Sequence, residues 1–104
     1  MPTKAELVYL SPAAADFEEI VKKHMVRSGV KYAREISASM ENQIDRLRAY
    51  PLMGQTHPDP ILAAQGFRKL VLGKTYVAIY KLIDNTVYIY GIVDGRTDYP
   101  KLFY

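Results

Sequence analysis

Three β segments joined by two tight turns occupy residues 67–93, and this run constrains the fold more than any other part of the chain. Phe67 to Leu72, Tyr76 to Ile83 and Thr86 to Val93 are rich in valine, isoleucine and tyrosine, the residues that suit a pleated, half-buried surface. Gly73-Lys74 supplies the first turn, and Asp84-Asn85 supplies a two-residue hairpin turn of the kind that accepts positive φ. The segments therefore predict a three-stranded antiparallel meander, which needs one face covered, and the helical hairpin is the only cover the sequence offers.

The N-terminal half provides that cover. Glu6 to Leu10 reads as a short strand, and Ser11-Pro12 reads as a helix start with Ser11 as N-cap and Pro12 at the first helical position. Asp16, Glu18 and Glu19 follow in the early turns, where carboxylates favour the helix dipole. Phe17, Ile20, Val21 and His24 share one helical face, and Ser28-Gly29 closes the helix. A second helix is predicted from Val30 to Ala49, with Ala33, Ile36, Met40, Ile44 and Leu47 as its apolar stripe and Pro51 as its stop. The expectation is an α+β fold of order β-α-α-β-β-β: an antiparallel twisted sheet covered on one face by a helical hairpin. Residues 51–60 hold three prolines and a glycine and read as a loop containing His57; Ile61 to Gln65 reads as a helical turn. A chain of 104 residues suits a single domain spanning 1–104.

Charge is placed unevenly. Residues 1–60 carry eight Lys/Arg against eight Asp/Glu, whereas residues 61–104 carry six (Arg68, Lys69, Lys74, Lys81, Arg96, Lys101) against three Asp. The whole net charge of +3 thus falls in the C-terminal part, which points to a polyanion or an acidic partner. There is no cysteine, so disulfides and thiolate metal sites are excluded; with two histidines and no ligand spacing, neither a metal nor another cofactor is expected. Met1-Pro2-Thr3-Lys4 lacks the apolar core of a signal peptide, and no apolar run is long enough to span a bilayer. The expectation is a cytoplasmic protein with no membrane partner.

Several short motifs occur in an order that resembles the RelE/ParE superfamily of toxins from bacterial type II toxin–antitoxin pairs. Leu10-Ser-Pro-Ala-Ala-Ala-Asp-Phe17 is similar to its strand-to-helix junction, and Leu47-Arg-Ala-Tyr-Pro-Leu-Met-Gly54 to its helix-end motif. Gly66-Phe-Arg-Lys-Leu70, Tyr76-Val-Ala-Ile-Tyr80 and Val87-Tyr-Ile-Tyr-Gly-Ile92 resemble its meander strands, and Gly95-Arg-Thr-Asp-Tyr99 its C-terminal signature. The resemblance implies a growth-arresting toxin held inactive by a cognate antitoxin. It implies two target classes: the ribosome and its mRNA, cut by RelE-type endoribonucleases, or DNA gyrase, poisoned by ParE-type members without catalytic residues of their own.

Cutting RNA through its 2′-OH needs a base, an acid and cations on the charged phosphorane. By resemblance Arg68, Arg96 and Tyr99, or less closely Tyr104, would carry that chemistry. Leu70 and Val77 stand where the nuclease branch has a lysine and an arginine. Each missing contact of that kind is worth a factor of roughly 10²–10³ in rate, so the residues favour a gyrase-type binding toxin over a nuclease, with a non-toxic interaction module of the same fold as the third reading. Lys69, Lys74, Arg96 and Lys101 are the candidate contacts to a target or nucleic acid. Arg96 has a second reading as an ion-pair partner of Asp94 or Asp98. Asp98 reads as an N-cap ahead of Pro100, the strand tyrosines read mainly as sheet packing, and His24 reads as a partly buried structural histidine.

Overall fold

The computed structural model describes residues 4–104; the reading of Met1-Pro2-Thr3 as a non-signal N-terminus lies outside these residues. Strand β1 (Glu6–Tyr9) leads into α1 (Ser11–Ser28) and α2 (Val30–Asp45), followed by a 3-10 turn (Arg46–Arg48). A two-residue strand β2 (Gln55–Thr56) and a short helix α3 (Pro60–Ala64) precede the meander β3 (Arg68–Leu72), β4 (Tyr76–Ile83) and β5 (Thr86–Asp94). A second 3-10 turn, Pro100–Phe103, ends the chain.

The meander forms as the local sequence dictates. Asp84 and Asn85 both adopt positive φ, 47° and 62°, which matches the twist of the flanking strands. The sheet is larger than the meander and is mixed. Its order is β1-β5-β4-β3-β2, with β1 parallel to β5 and the other pairs antiparallel. A bulge lies opposite Ile79 and Tyr80, where Ile79 faces Gly91 and Tyr80 faces Ile89. The backbone N–H of Ile92, just past it, donates to the carboxylate of Asp16 at 3.0 Å. Asp16 therefore stitches α1 to β5; it does not sit in the first turn of α1.

The helical hairpin covers one face as expected. Ile20 of α1, Met40 and Ile44 of α2, and Leu47 pack against Leu72, Ala78, Tyr80, Val87, Ile89 and Ile92. Two expected details differ. Leu10, with extended backbone, precedes α1, and no side chain caps it, so Ser11 lies inside the helix and makes no N-cap bond. Helix α2 stops at Asp45 and tightens into the 3-10 turn before Pro51.

The opposite face of the sheet is covered too. Leu62 of α3, Phe67, Val77, Ile79 and Tyr99 form a second buried cluster, with Tyr90, Val93 and Phe103 against it. The cap in this region is Asp59, whose carboxylate accepts from the N–H groups of Ile61 (2.9 Å) and Leu62 (3.2 Å).

Tyr80 ties the layers together. Its ring is fully buried under the hairpin, its O–H donates to the carbonyl of Pro51 at 2.9 Å, and its oxygen accepts from the N–H of Gly54 at 3.1 Å. A Cβ at Gly54 would lie 2.5 Å from the Lys69 carbonyl and 2.7 Å from the Tyr80 hydroxyl. Backbone on one side and a locked ring on the other leave no room to relax. Gly54→Ala is expected to lower stability by about 1–3 kcal/mol, read as a lower urea midpoint; an unchanged midpoint would contradict this packing.

Candidate functional site

The C-terminal signature opens with a rigid corner. The Asp94 carboxylate accepts from the backbone N–H of Arg96 (2.9 Å) and from its guanidinium at Nε (3.0 Å) and NH2 (2.7 Å). These bonds from Arg96, side chain first, hold the Asp94 carboxyl well below its ordinary range, at about 2. Thr97 closes the corner with a hydroxyl bond to the Asp94 carbonyl at 2.7 Å. Arg96 is thus paired with Asp94, not Asp98, yet its side chain stays 73% exposed. Asp98 makes no cap; Tyr99 precedes the final 3-10 turn, and Asp98 lies 3.9 Å from Lys101.

Tyr99 turns inward. It is buried, and its hydroxyl lies 2.7 Å from Nε2 of His57, which is itself 3% exposed. His57 Nδ1 accepts from the Asp59 N–H at 2.9 Å, so Nε2 carries the proton and donates to Tyr99. Burial, and then Lys69 nearby, pull the His57 pKa down. The Tyr104 hydroxyl donates to Asp59 at 2.8 Å, a second tether for the tail. The loop histidine of the sequence reading is therefore a core residue. Tyr99 has its phenol engaged, and burial, followed by the charge of Asp59, raises its pKa; neither change suits proton transfer near neutral pH.

Arg68 is also occupied. Its guanidinium donates to the carbonyls of Gly54 and Leu52 and to the Thr56 hydroxyl, and so ties the 52–56 segment to β3. Arg68 faces Tyr80 across the β3–β4 ladder, while Asp94 faces Tyr76. Arg68 and Asp94, which holds Arg96, are thus about 13 Å apart along the strands and about 10 Å across them. Tyr99 lies on the other face. Leu70 packs under the hairpin, and Val77 is buried in the second cluster. Lys69 sits beside Met53, Gly54 and Gln55, and Lys101 is on the exposed final turn. The structure therefore does not bring Arg68, Arg96 and Tyr99 into one constellation.

It does bring Arg96 and Lys74 together. Both line a groove of about 380 Å³ between the end of α1, the start of α2 and the β3–β4 turn, with Lys23, His24, Arg27, Tyr32, Gln43 and Tyr76. His24 Nε2 meets the Tyr76 hydroxyl at 2.9 Å, and its ring stands edge-on to Tyr32 and Tyr76. Burial, then the charge of Asp94, raises the Tyr76 pKa. Sequence reading missed Lys23, Arg27 and Tyr32 as site residues. Their one signal was placement: they lie within ten residues around the hairpin turn at Gly29, which brings them to one end of the bundle. Among the described residues, no group of three or more His, Asp or Glu stands close enough to hold a metal ion.

A five-stranded mixed sheet backed by a helical hairpin, closed by a basic corner and a folded-back tail, is the architecture that the RelE/ParE resemblance implied. The chain belongs to the family of ParE toxins of type II toxin–antitoxin systems, which it matches over residues 7–99. Its fold is similar to a structure of the chromosomal ParDE toxin–antitoxin system from P. aeruginosa, with a TM-score of 0.74 and 22% identity over 88% of this chain and 96% of that one. It is also similar to the RelBE2 toxin–antitoxin complex from Mycobacterium tuberculosis, with a TM-score of 0.64 and 20% identity over 88% and 98%. No curated protein matches the chain.

The His57–Tyr99 pair yields a pH prediction. A histidine with a lowered folded pKa binds fewer protons folded than unfolded, so stability rises with pH and falls as pH drops below the unfolded value of about 6.5. We expect the melting temperature to decline between about pH 7 and 5.5, and the decline to shrink in His57→Gln. Equal pH profiles for the two proteins would contradict it.

Proposed function

We propose that this toxin arrests growth by binding a large target, DNA gyrase, and not by cutting RNA, and that a cognate antitoxin holds it inactive. The observation that carries the reading is the separate engagement of the three side chains a nuclease would need. Arg68 is spent on the carbonyls of the 52–54 turn and Tyr99 on buried His57, while Arg96, held against Asp94, stands apart from both at the corner after β5. Leu70 and Val77 add apolar packing where a nuclease would place cations. A binding toxin has no such requirement; it needs a rigid surface with exposed charge.

An antitoxin partner is supported by the edges of the sheet and by apolar side chains left in solvent. Strand β1 is one edge and the two-residue β2 is the other, and such edges accept an added strand. Val26, Tyr50, Leu52 and Leu102 are each more than 60% exposed, as a partner with an apolar face would need. No helix among the described residues is long and apolar enough to cross a membrane.

Two measurements on one preparation test the target. We expect expression of this chain to stop growth, gyrase–DNA cleavage complexes to accumulate, and ribosome-bound mRNA to stay intact. Cleaved mRNA without gyrase complexes overturns the reading in favour of the ribosome-dependent nuclease, and unimpaired growth overturns toxicity altogether. Co-expression of a small protein encoded beside this chain is expected to restore growth.

A further inference from the structure

The groove at the turn end of the helical hairpin concentrates charge in a way the overall balance hides. Lys23 and Arg27 lie one turn apart on α1, Lys74 sits in the β3–β4 turn, and Arg96 projects from the corner after β5. Against these four cations stands Asp94, which is bonded by Arg96 and also lies in the field of Lys23. The groove is therefore formally +3, equal to the net charge of the whole chain. Arg96 is mostly exposed, and a surface ion pair of this kind is screened by water and salt, so its guanidinium can turn to a competing anion.

The floor of the groove is aromatic. Tyr32, His24 and Tyr76 form a row with ring centroids 5.7 Å and 5.9 Å apart, and Tyr32 is 44% exposed. Gln43 also lines the groove, and its side-chain oxygen accepts from the N–H of Gly73 at 3.2 Å, which docks the β3–β4 turn onto α2. Cations beside aromatic rings in one groove suit a nucleic-acid strand better than an acidic peptide. Phosphates take the charges while a base finds a stacking partner, and carboxylate side chains would leave the rings unused.

We propose that the groove between α1, α2 and the β3–β4 turn binds the sugar–phosphate backbone of a single nucleic-acid strand, with Lys23, Arg27, Lys74 and Arg96 on phosphates and Tyr32 against a base. The site lies on the helical side of the sheet, apart from Arg68 and Tyr99. It does not depend on the gyrase reading, because gyrase–DNA and the ribosome both present nucleic acid.

Fluorescence anisotropy with labelled DNA and RNA single strands of about 12 nucleotides, a length within the usual site size, tests this directly. With four phosphates neutralised, log K is expected to fall against log salt with a slope of about −3. Lys23→Glu with Arg27→Glu is expected to weaken binding at least tenfold and to flatten that slope by about half. Tyr32→Ala is expected to weaken binding about fivefold or more with the slope unchanged, the signature of lost stacking. Arg34→Glu with Arg46→Glu, the same charge change outside the groove, is expected to stay within about twofold. Thermal melting checks that each variant folds. If the double groove variant does not, Lys74→Ala in the exposed turn replaces it, with about a threefold loss expected. Binding that is equal in the groove and control variants overturns the proposal. So does displacement of the strand by a polyglutamate peptide at equal charge concentration, which would mark the groove as an acidic-peptide site. Preference for DNA over RNA, or the reverse, identifies the source of the strand.

Discussion

Four consecutive residues of β4, Val77-Ala78-Ile79-Tyr80, are buried, and the rest of the structure follows from the need to cover both faces of that strand. Ala78 and Tyr80 point to the helical hairpin; Val77 and Ile79 point the other way, where a hairpin already spent on the first face cannot reach. The second face takes its cover from what remains of the chain: α3, Phe67 and the tail from Tyr99 to Phe103. This is why the tail folds back and why His57 is buried. A Cβ at Gly91 would lie 2.7 Å from the Phe103 ring, so the absence of a side chain there is what lets the tail close on the sheet.

The same constraint shapes the chemistry. Side chains that could have served a reaction were drawn into holding the second face and the loop before it. The Tyr99 hydroxyl accepts from His57, and Arg68 gives its guanidinium to the turn that Tyr80 also anchors. An arginine donating to carbonyls already has its donors satisfied, and moving it toward a phosphate would leave those carbonyls unpaired. One cluster of exposed charge lies elsewhere, at the turn end of the hairpin, where no packing demand competes for it. The fold thus separates a structural set of polar residues from a surface set, and the surface set is the one available to a partner.

Much of this was legible in the sequence, for local reasons. The meander, its Asp84-Asn85 turn and the stripes of both helices follow from periodicity and turn chemistry within short windows. The parallel pairing of β1 with β5 was not, because four residues carry no register signal for a strand nearly eighty positions away. The second-face cover was misread for a similar reason, although a signal existed: the unbroken apolar run Val77–Tyr80 is the mark of a strand buried on both sides. A serine or aspartate followed closely by proline occurs at Ser11-Pro12, Asp59-Pro60 and Asp98-Tyr99-Pro100, and of these side chains only that of Asp59 caps a helix. Arg96 and Lys74 were singled out in the sequence, and the structure adds Lys23 and Arg27 beside them. Arg68 and Tyr99 were also singled out, yet their surroundings give them packing roles that no local window could reveal.

We propose that Tyr99 serves the fold and not a reaction, and the most direct test removes its hydroxyl alone. Tyr99→Phe keeps the ring in the second cluster and deletes the bond to His57. With folding confirmed by thermal melting, growth arrest by Tyr99→Phe is predicted to equal that of the unaltered chain at matched expression. Loss of growth arrest in a folded Tyr99→Phe protein would contradict the account and return Tyr99 to the chemistry.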